Sequence, residues 1–417
     1  MRVYIYGRGY GLSFVKKCLL DDVTVGAYID NFSRDTVDAG GIPIIKQESV
    51  DDDFDYIVIS IIKFQDIKNG LIKLGISSEK IISFFCPSDA ENDSYYSVLD
   101  SYKWKTELEL KYHNDVVIPA MNNQYYEGNA DLLLSSHLIP HIVSADKTVS
   151  LIVDEKKSLA RFGDGEFEMM LNRARPRFQD VDVQLGKRLE EVIKDDSESL
   201  LVAIANNYGD LSAYTDEAAN GIRAYLTPTV RSDHMNYLDL HRDYYDAYLS
   251  RPYIMYKDKD PKTMRSKFDH IKEIWDKKKI LIIEGYHTRF GVGNDLITNA
   301  LDAKRILAPD KNAFSVYEDI FEKAKKYGRD RLTLITLGPT ATVLSYDLSK
   351  MGYWAVDIGQ VDTEYEWFLR NAKERCNIPY KTVSEYADKN IIPDIDEPFK
   401  SDYEKQVVEI IKEKCVN

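Results

Sequence analysis

Apolar and polar positions alternate in short blocks from the start of the chain. Residues 3–6 form an apolar run, followed by Gly7, Gly9 and Gly11 and an amphipathic stretch through Leu20. A second run covers 23–29 and ends at Asp30. A third, 56–62, is apolar almost throughout, as a strand buried on both faces requires, and 80–85 is a fourth. This rhythm predicts a parallel sheet within residues 1–90, a Rossmann-like module. Residues 91–146 lose the rhythm, are rich in Tyr and Asn, and read as a helical connector with a helix at 131–137.

From residue 147 the pattern tightens again. Strands are expected at 151–153, at 159–162 (leading into Gly163-Asp164-Gly165-Glu166) and at 200–205. Later strands at 280–283, 305–307, 332–336 and 354–358 alternate with helices at 295–301, 316–327, 341–351 and 364–371. The prediction is a second, larger parallel sheet with helices on both faces, over residues 147–378. Residues 379–417 form a tail ending in an amphipathic helix at 403–414. The fold class is therefore α/β, with two Rossmann-like parallel-sheet domains joined by a helical connector.

Ligands of open parallel sheets bind beyond the carboxyl ends of the strands. Here those ends are Glu284-Gly285, Ala308-Pro309, Leu337-Gly338 and Asp357-Ile358-Gly359, and the loops beyond them carry Arg289, Gly291, Gly293, Asn294, Asn312, Thr340 and Gln360.

Composition narrows the chemistry. The formal charge of −14 and the absence of a basic stripe exclude an extended nucleic-acid surface. No apolar run reaches a membrane span, and the opening MRVYIYGRGYG reads as strand and turn rather than signal peptide. Four scattered cysteines, without a CxxC pair, point to reduced thiols and a cytoplasmic setting.

The most informative motif is Arg161-Phe162-Gly163-Asp164-Gly165-Glu166. In an extended segment Asp164 and Glu166 point the same way, so both carboxylates reach one hard cation that bridges phosphate oxygens; the competing reading is a solvated turn. Thr288-Arg289-Phe290-Gly291-Val292-Gly293-Asn294 between strand and helix offers amides and a guanidinium to an anion, or is simply a tight turn. Gly338-Pro339-Thr340 opens a helix and reads as a cap whose N–H groups a ligand can share. Ser250-Arg251-Pro252-Tyr253 places a guanidinium and an aromatic ring in the pocket, or forms a surface loop. Gly7-Arg8-Gly9-Tyr10-Gly11 with Asp30 is a dinucleotide fingerprint of irregular spacing.

Read in order, RFGDGEFEMM, Ser250-Arg251-Pro252-Tyr253, Glu284-Gly285 with TRFGVGNDL, RILAPDKNAF and LGPTATVLSYDLSKMGYWAVDIGQVDTEYEWFL resemble the GT-D glycosyltransferases over roughly residues 150–372. The resemblance implies a DxE motif at Asp164 and Glu166, a divalent metal (Mn²⁺ or Mg²⁺) and a UDP-sugar donor, often UDP-glucose. It also implies a glycan or glycoprotein acceptor in surface-polysaccharide synthesis or protein glycosylation. On that basis Arg161, Gly163, Arg251, Arg289, Gly291, Gly293, Asn294, Gly338 and Thr340 surround the substrate, with Asn312 and Phe314 near the base. Asp357 and Asp362 are the carboxylates available as base if the reaction inverts. Gln360 stands where the resemblance implies a histidine. Self-association and glycan-assembly partners remain open. Two other readings compete: an NAD-dependent sugar-nucleotide epimerase or dehydrogenase using the N-terminal fingerprint, with Tyr346 and Lys350 in the other domain showing the Tyr-x-x-x-Lys spacing of its catalytic pair, and a non-catalytic glycan-assembly scaffold.

Overall fold

A computed structural model describes the chain except residues 63, 87–93, 174–178, 384–391, 398 and 414–417. It divides into two compact units, Met1–Ile118 and Pro119–Asn417.

The first unit is built on five parallel strands, β1 (Arg2–Tyr6), β2 (Thr24–Ile29), β3 (Ile44–Ile45), β4 (Tyr56–Ile59) and β5 (Ile81–Ser83), ordered β3-β2-β1-β4-β5. The chain winds outward from β1 in both directions, as the two βαβ runs of the sequence require. Gly7 has φ +95°, and a Cβ on Gly11 would lie 1.8 Å from the Ser60 carbonyl oxygen. Gly11 is therefore fixed by close packing of helix Gly11–Cys18 on the strands. The Asp30 carboxylate accepts the Phe32 and Ser33 N–H groups and so braces its own turn. Trp104 of helix Ser101–Tyr112 is buried and donates to the Phe84 carbonyl, so residues expected in the connector complete this unit's core.

The second unit carries nine parallel strands: β6 (His141–Val143), β7 (Ser158–Phe162), β8 (Leu200–Ile204), β9 (Asp243–Asp246), β10 (Lys279–Gly285), β11 (Asp302–Ala308), β12 (Leu332–Thr336), β13 (Ala355–Asp357) and β14 (Val407–Ile410). Their order is β14-β11-β10-β12-β13-β7-β8-β9-β6. After β10 the chain crosses to β11 on one side and returns to β12 on the other, which opens a crevice between β10 and β12. The central strands β8, β10 and β12 are apolar on both faces, as a sheet covered by helices on both sides demands.

Three expectations change here. Residues 151–153 belong to helix Ala145–Asp154, capped by Ser144, because their short apolar run continues a helical face. Residues 295–301 form turns rather than a helix. Asn294 folds back on the Leu296 N–H, and the Asp295 carboxylate is held by Lys272 and Tyr365. The tail is helix Phe399–Gln406 followed by β14, which adds an edge to the sheet beside β11; Lys414 and Cys415 lie outside the described residues.

One ion pair inside this unit is sealed from water. Arg305 of β11 donates from Nη1 to Glu284 Oε1 of β10 (2.5 Å) and from Nη2 to the Phe290 carbonyl, while the Phe290 N–H returns to Glu284 Oε2. Burial pushes the Glu284 carboxyl up and Arg305 opposes it. The pair fixes the loop after β10 to both strands.

Candidate active site

The carboxyl ends of β7, β8, β10, β12 and β13 open onto one cavity of about 640 Å³. Of the expected residues, Arg161, Gly163, Asp164, Glu166, Arg251, Gly338, Gln360 and Asp362 line it.

Arg161 closes β7 and runs sideways. Its Nε and Nη2 donate to the carbonyl (2.9 Å) and Oδ1 (2.6 Å) of Asp357 on β13, and its Nη1 to Ser250 Oγ (2.8 Å). Asp357 is thus buried behind the wall, its carboxyl pushed up by burial and opposed by Arg161. Asp357 does not line the cavity, which disfavours it as a base. Gly359, at φ +52°, clears the guanidinium: a Cβ there would stand 2.1 Å from Arg161 Nη2.

The DxE motif is not extended. Helix Asp164–Met170 begins at its first residue, so Asp164 and Glu166 are two apart on a helix and diverge by roughly 200°. Glu166 Oε2 turns back to accept the Gly163 N–H (2.8 Å), and burial pushes its carboxyl up. Asp164 is exposed on the cavity rim. The sequence pattern missed this because a Gly-x-Gly frame serves a turn and a helix start equally well.

The metal implied by the resemblance has to fit this arrangement. Among the described residues no group of three or more His, Cys, Asp or Glu side chains is placed to hold a metal. Although they leave the helix on roughly opposite sides, Asp164 and Glu166 both line the cavity, because the Glu166 side chain turns back toward Gly163. Two hard oxygen ligands, with the rest from phosphates and water, suit a magnesium-type ion. The donor set fits a cation that arrives with a diphosphate.

The loop after β10 is occupied differently from its sequence reading. Arg289, buried and at φ +50°, donates from Nη1 to the carbonyls of Tyr380 (2.7 Å) and Pro393 (2.8 Å), and does not line the cavity. The Gly291 N–H and Asn294 Nδ2 both donate to Asp362 Oδ1, and Lys381 donates to Asp362 Oδ2 (2.7 Å). Asn294 also reaches Glu366 (2.8 Å). Asp362 therefore borders the cavity with both oxygens already engaged, which disfavours it as a base. Gly291 and Gly293, at φ +72° and +81°, shape this loop rather than approach a ligand. Asn312 clasps Asp180 through its amide nitrogen, and Phe314 packs against Tyr317; neither lines the cavity.

Thr340 is buried, its hydroxyl has no partner among the described residues and it does not line the cavity; helix Pro339–Lys350 starts after Gly338 without a side-chain cap. Tyr253 is buried, and its N–H donates to Glu364 Oε2, so Ser250 and Arg251 of that motif reach the cavity while Tyr253 does not. Gln360 precedes helix Val361–Leu369, whose amino end, like that of Pro339–Lys350, meets the cavity. Lys350 pairs with Asp195 (2.5 Å), and neither it nor Tyr346 lines the cavity, which withdraws the catalytic pair of the dehydrogenase reading.

Several lining residues escaped the sequence reading: Asn207, Glu217, Tyr225, Tyr248, Asp310 and Thr336. Asp310 accepts the His287 N–H (2.9 Å) and meets its Nδ1 (2.6 Å), pinning the loops after β10 and β11 together. Asn207 follows the carboxyl end of β8. The strand-end rule, applied to 200–205 as it was to the later strands, points to it.

Residues 159–386 match the family model described as Glycosyltransferase GT-D fold. The chain is similar to a probable glycosyl transferase Gly of Streptococcus gordonii, 36% identical over 270 residues, covering 64% of this chain and 38% of that protein. It is also similar to a glycosyltransferase GlyD of Streptococcus pneumoniae, 35% identical over 286 residues, covering 67% of this chain and 33% of the other. The chain thus spans a little over a third of the length of these curated relatives or less. A solved domain of unknown function 1792, described as having a distinct glycosyltransferase fold, superposes with TM-score 0.62 at 33% identity, covering 67% of this chain and 98% of that one. A domain 1792 glycosyltransferase from Streptococcus sanguinis gives 0.61 at 34% identity, covering 66% and 100%. With its cavity at the strand ends and a family match over more than half its length, the chain belongs to the GT-D glycosyltransferase family.

Proposed function

We propose that the second unit transfers a hexose, glucose as the family resemblance implies, from a UDP-sugar to a glycan or glycoprotein acceptor, with help from a divalent metal. The observation that carries this reading is Asp164, exposed on the rim of a cavity that also receives the amino ends of helices Pro339–Lys350 and Val361–Leu369. Helix amino termini favour anions through their unpaired N–H groups and dipole. The diphosphate lies against these ends, with Arg173 and Arg251 on the cavity wall adding positive charge.

Asp164 and Glu166, both in the cavity lining, would hold the cation. When bound, it offsets the charge that develops on the departing nucleoside diphosphate. Arg161 does not touch substrate in this scheme. It fixes the end of β7 to β13 and Ser250, and so holds Gly163 and Asp164 in place. Preorganised charge of this kind acts on the transition state without reorganising at the moment of reaction. The acceptor oxygen bonds to the anomeric carbon as the bond to the diphosphate breaks; the nucleoside diphosphate leaves with that electron pair, and its phosphate oxygens or solvent take the hydroxyl proton. Transfer in the cytoplasm, for surface-polysaccharide synthesis or protein glycosylation, fits the same chemistry; among the described residues no helix is long and apolar enough to cross a membrane.

The test is thermal stabilisation of the full chain by UDP with and without Mn²⁺, beside Asp164→Ala. A metal-dependent UDP shift that disappears in the variant supports the reading. A shift indifferent to both metal and variant sinks it.

A further inference from the structure

We infer that the β8–β9 end of the cavity is the acceptor subsite, a slot for one pyranose ring whose hydroxyl is read by Asn207. This rests on the transferase reading above and assigns the half of the cavity that reading leaves empty.

Asn207 lines the cavity and is 7% exposed. Its Nδ2 donates to the Tyr248 hydroxyl (3.2 Å), while its Oδ1 has no hydrogen-bond donor among the described residues. A buried amide oxygen without a donor is costly, and structures rarely retain one without a use. The terminal torsion of Asn is broad and roughly two-fold, so a half-turn of the amide exchanges its oxygen and nitrogen ends toward an arriving group. A sugar hydroxyl both donates and accepts, and satisfies whichever end it meets.

The rest of the slot has the same character. Helix Asp216–Tyr225 lays Glu217, Ala218, Gly221, Ile222 and Tyr225 along the cavity, a single helix face in which small residues leave room. A Cβ built on Gly221 meets nothing within 4 Å. Apolar wall beside a few polar groups is what the C–H face and hydroxyl edge of a pyranose require. The backbone below is held rigidly. Asp246, buried at the end of β9, accepts the Tyr248 N–H (2.7 Å) and Asn206 Nδ2 (3.1 Å). Placement separates this slot from the donor. The crevice between β10 and β12 is the switch point where a nucleotide settles, whereas Asn207 lies beyond β7 on the far side of Asp164.

The experiment uses the full chain with UDP and Mn²⁺, and offers methyl glycosides of glucose, galactose and N-acetylglucosamine singly, reading binding by saturation-transfer NMR. We expect at least one glycoside to bind wild type, Asn207→Ala to weaken it fivefold or more, and UDP affinity to stay within twofold. Gly221→Leu fills the slot from a position with open space, keeps the fold, and should abolish glycoside binding while UDP still binds. Unchanged glycoside affinity in either folded variant overturns the subsite, as does a wild type that binds UDP but no glycoside. A matching loss of UDP affinity in Asn207→Ala would assign the slot to the nucleoside instead. A wild type that fails to bind UDP at all sinks the transferase reading, a result separate from any of these.

Discussion

Arg161 Nη2 lies 2.6 Å from Asp357 Oδ1, and the only room for that contact is over Gly359, where a Cβ would come within 2.1 Å of the same nitrogen. Gly359 also holds φ +52°, which an L side chain resists. Gly359→Ala therefore carries both backbone strain and a steric clash, and should lose at least about 1 kcal/mol of stability. Transfer should fall with it, because Asp164 loses its mount. Thermal denaturation beside an assay of UDP release checks this, and a variant of wild-type stability would contradict the role of the glycine.

Asp164→Ala should reduce UDP-sugar turnover by roughly a hundredfold or more, the scale on which one preorganised charge-stabilising group acts. Its melting temperature without ligand should hardly change, since the side chain is exposed on the rim. Stripping divalent ions with a chelator should reproduce the loss in wild type and add little in the variant. Additive effects would separate Asp164 from the metal.

Arg289→Ala removes the donor for the Tyr380 and Pro393 carbonyls and should cost about 1–3 kcal/mol in urea unfolding. UDP affinity, measured by calorimetry on the folded variant, should remain within about threefold of wild type. A collapse of UDP affinity at normal stability would return Arg289 to the phosphate site that its sequence context suggested.

Asp246 gives a pH signature. Burial raises its carboxyl from 3.8 to about 6 against the pull of its bonds to Asn206 and Tyr248. Between those values the folded chain holds more protons at this site than the unfolded chain, so this contribution to stability falls as pH rises from about 4 to 6 and then levels off. Asp246→Asn is neutral throughout and should remove that component, so the wild-type-minus-variant difference in unfolding free energy should itself fall as pH rises across the same window. An identical slope in both proteins would mean that Asp246 is already ionised in the folded chain.

Much of the architecture was legible because parallel strands buried on both faces write themselves as apolar runs, as at β4, β10 and β12. The site was legible only as far as local pattern reaches. Gly163-Asp164-Gly165-Glu166 marked the right rim, yet its helical geometry depends on the Gly163–Glu166 capping bond. Asp357, Asp362 and Arg289 looked available because each stands at a strand end. Their actual partners, Arg161, Lys381 and the Tyr380 carbonyl, are distant in sequence and carry no local signal. β14 was hidden for a related reason. Residues 407–410 are Val-Val-Glu-Ile, β-prone but set in a charged stretch that reads as an amphipathic helix, and only pairing with β11 decides between the two.

The two outer strands of the large sheet, β6 and β14, are respectively the first and last that the unit contributes. During synthesis β11 emerges about a hundred residues before the segment that will cover it. Until then its unpaired N–H and C=O groups form an open edge, the surface that recruits stray strands from other chains. The newborn unit thus passes through a stage with its cavity walls formed and one flank unsealed.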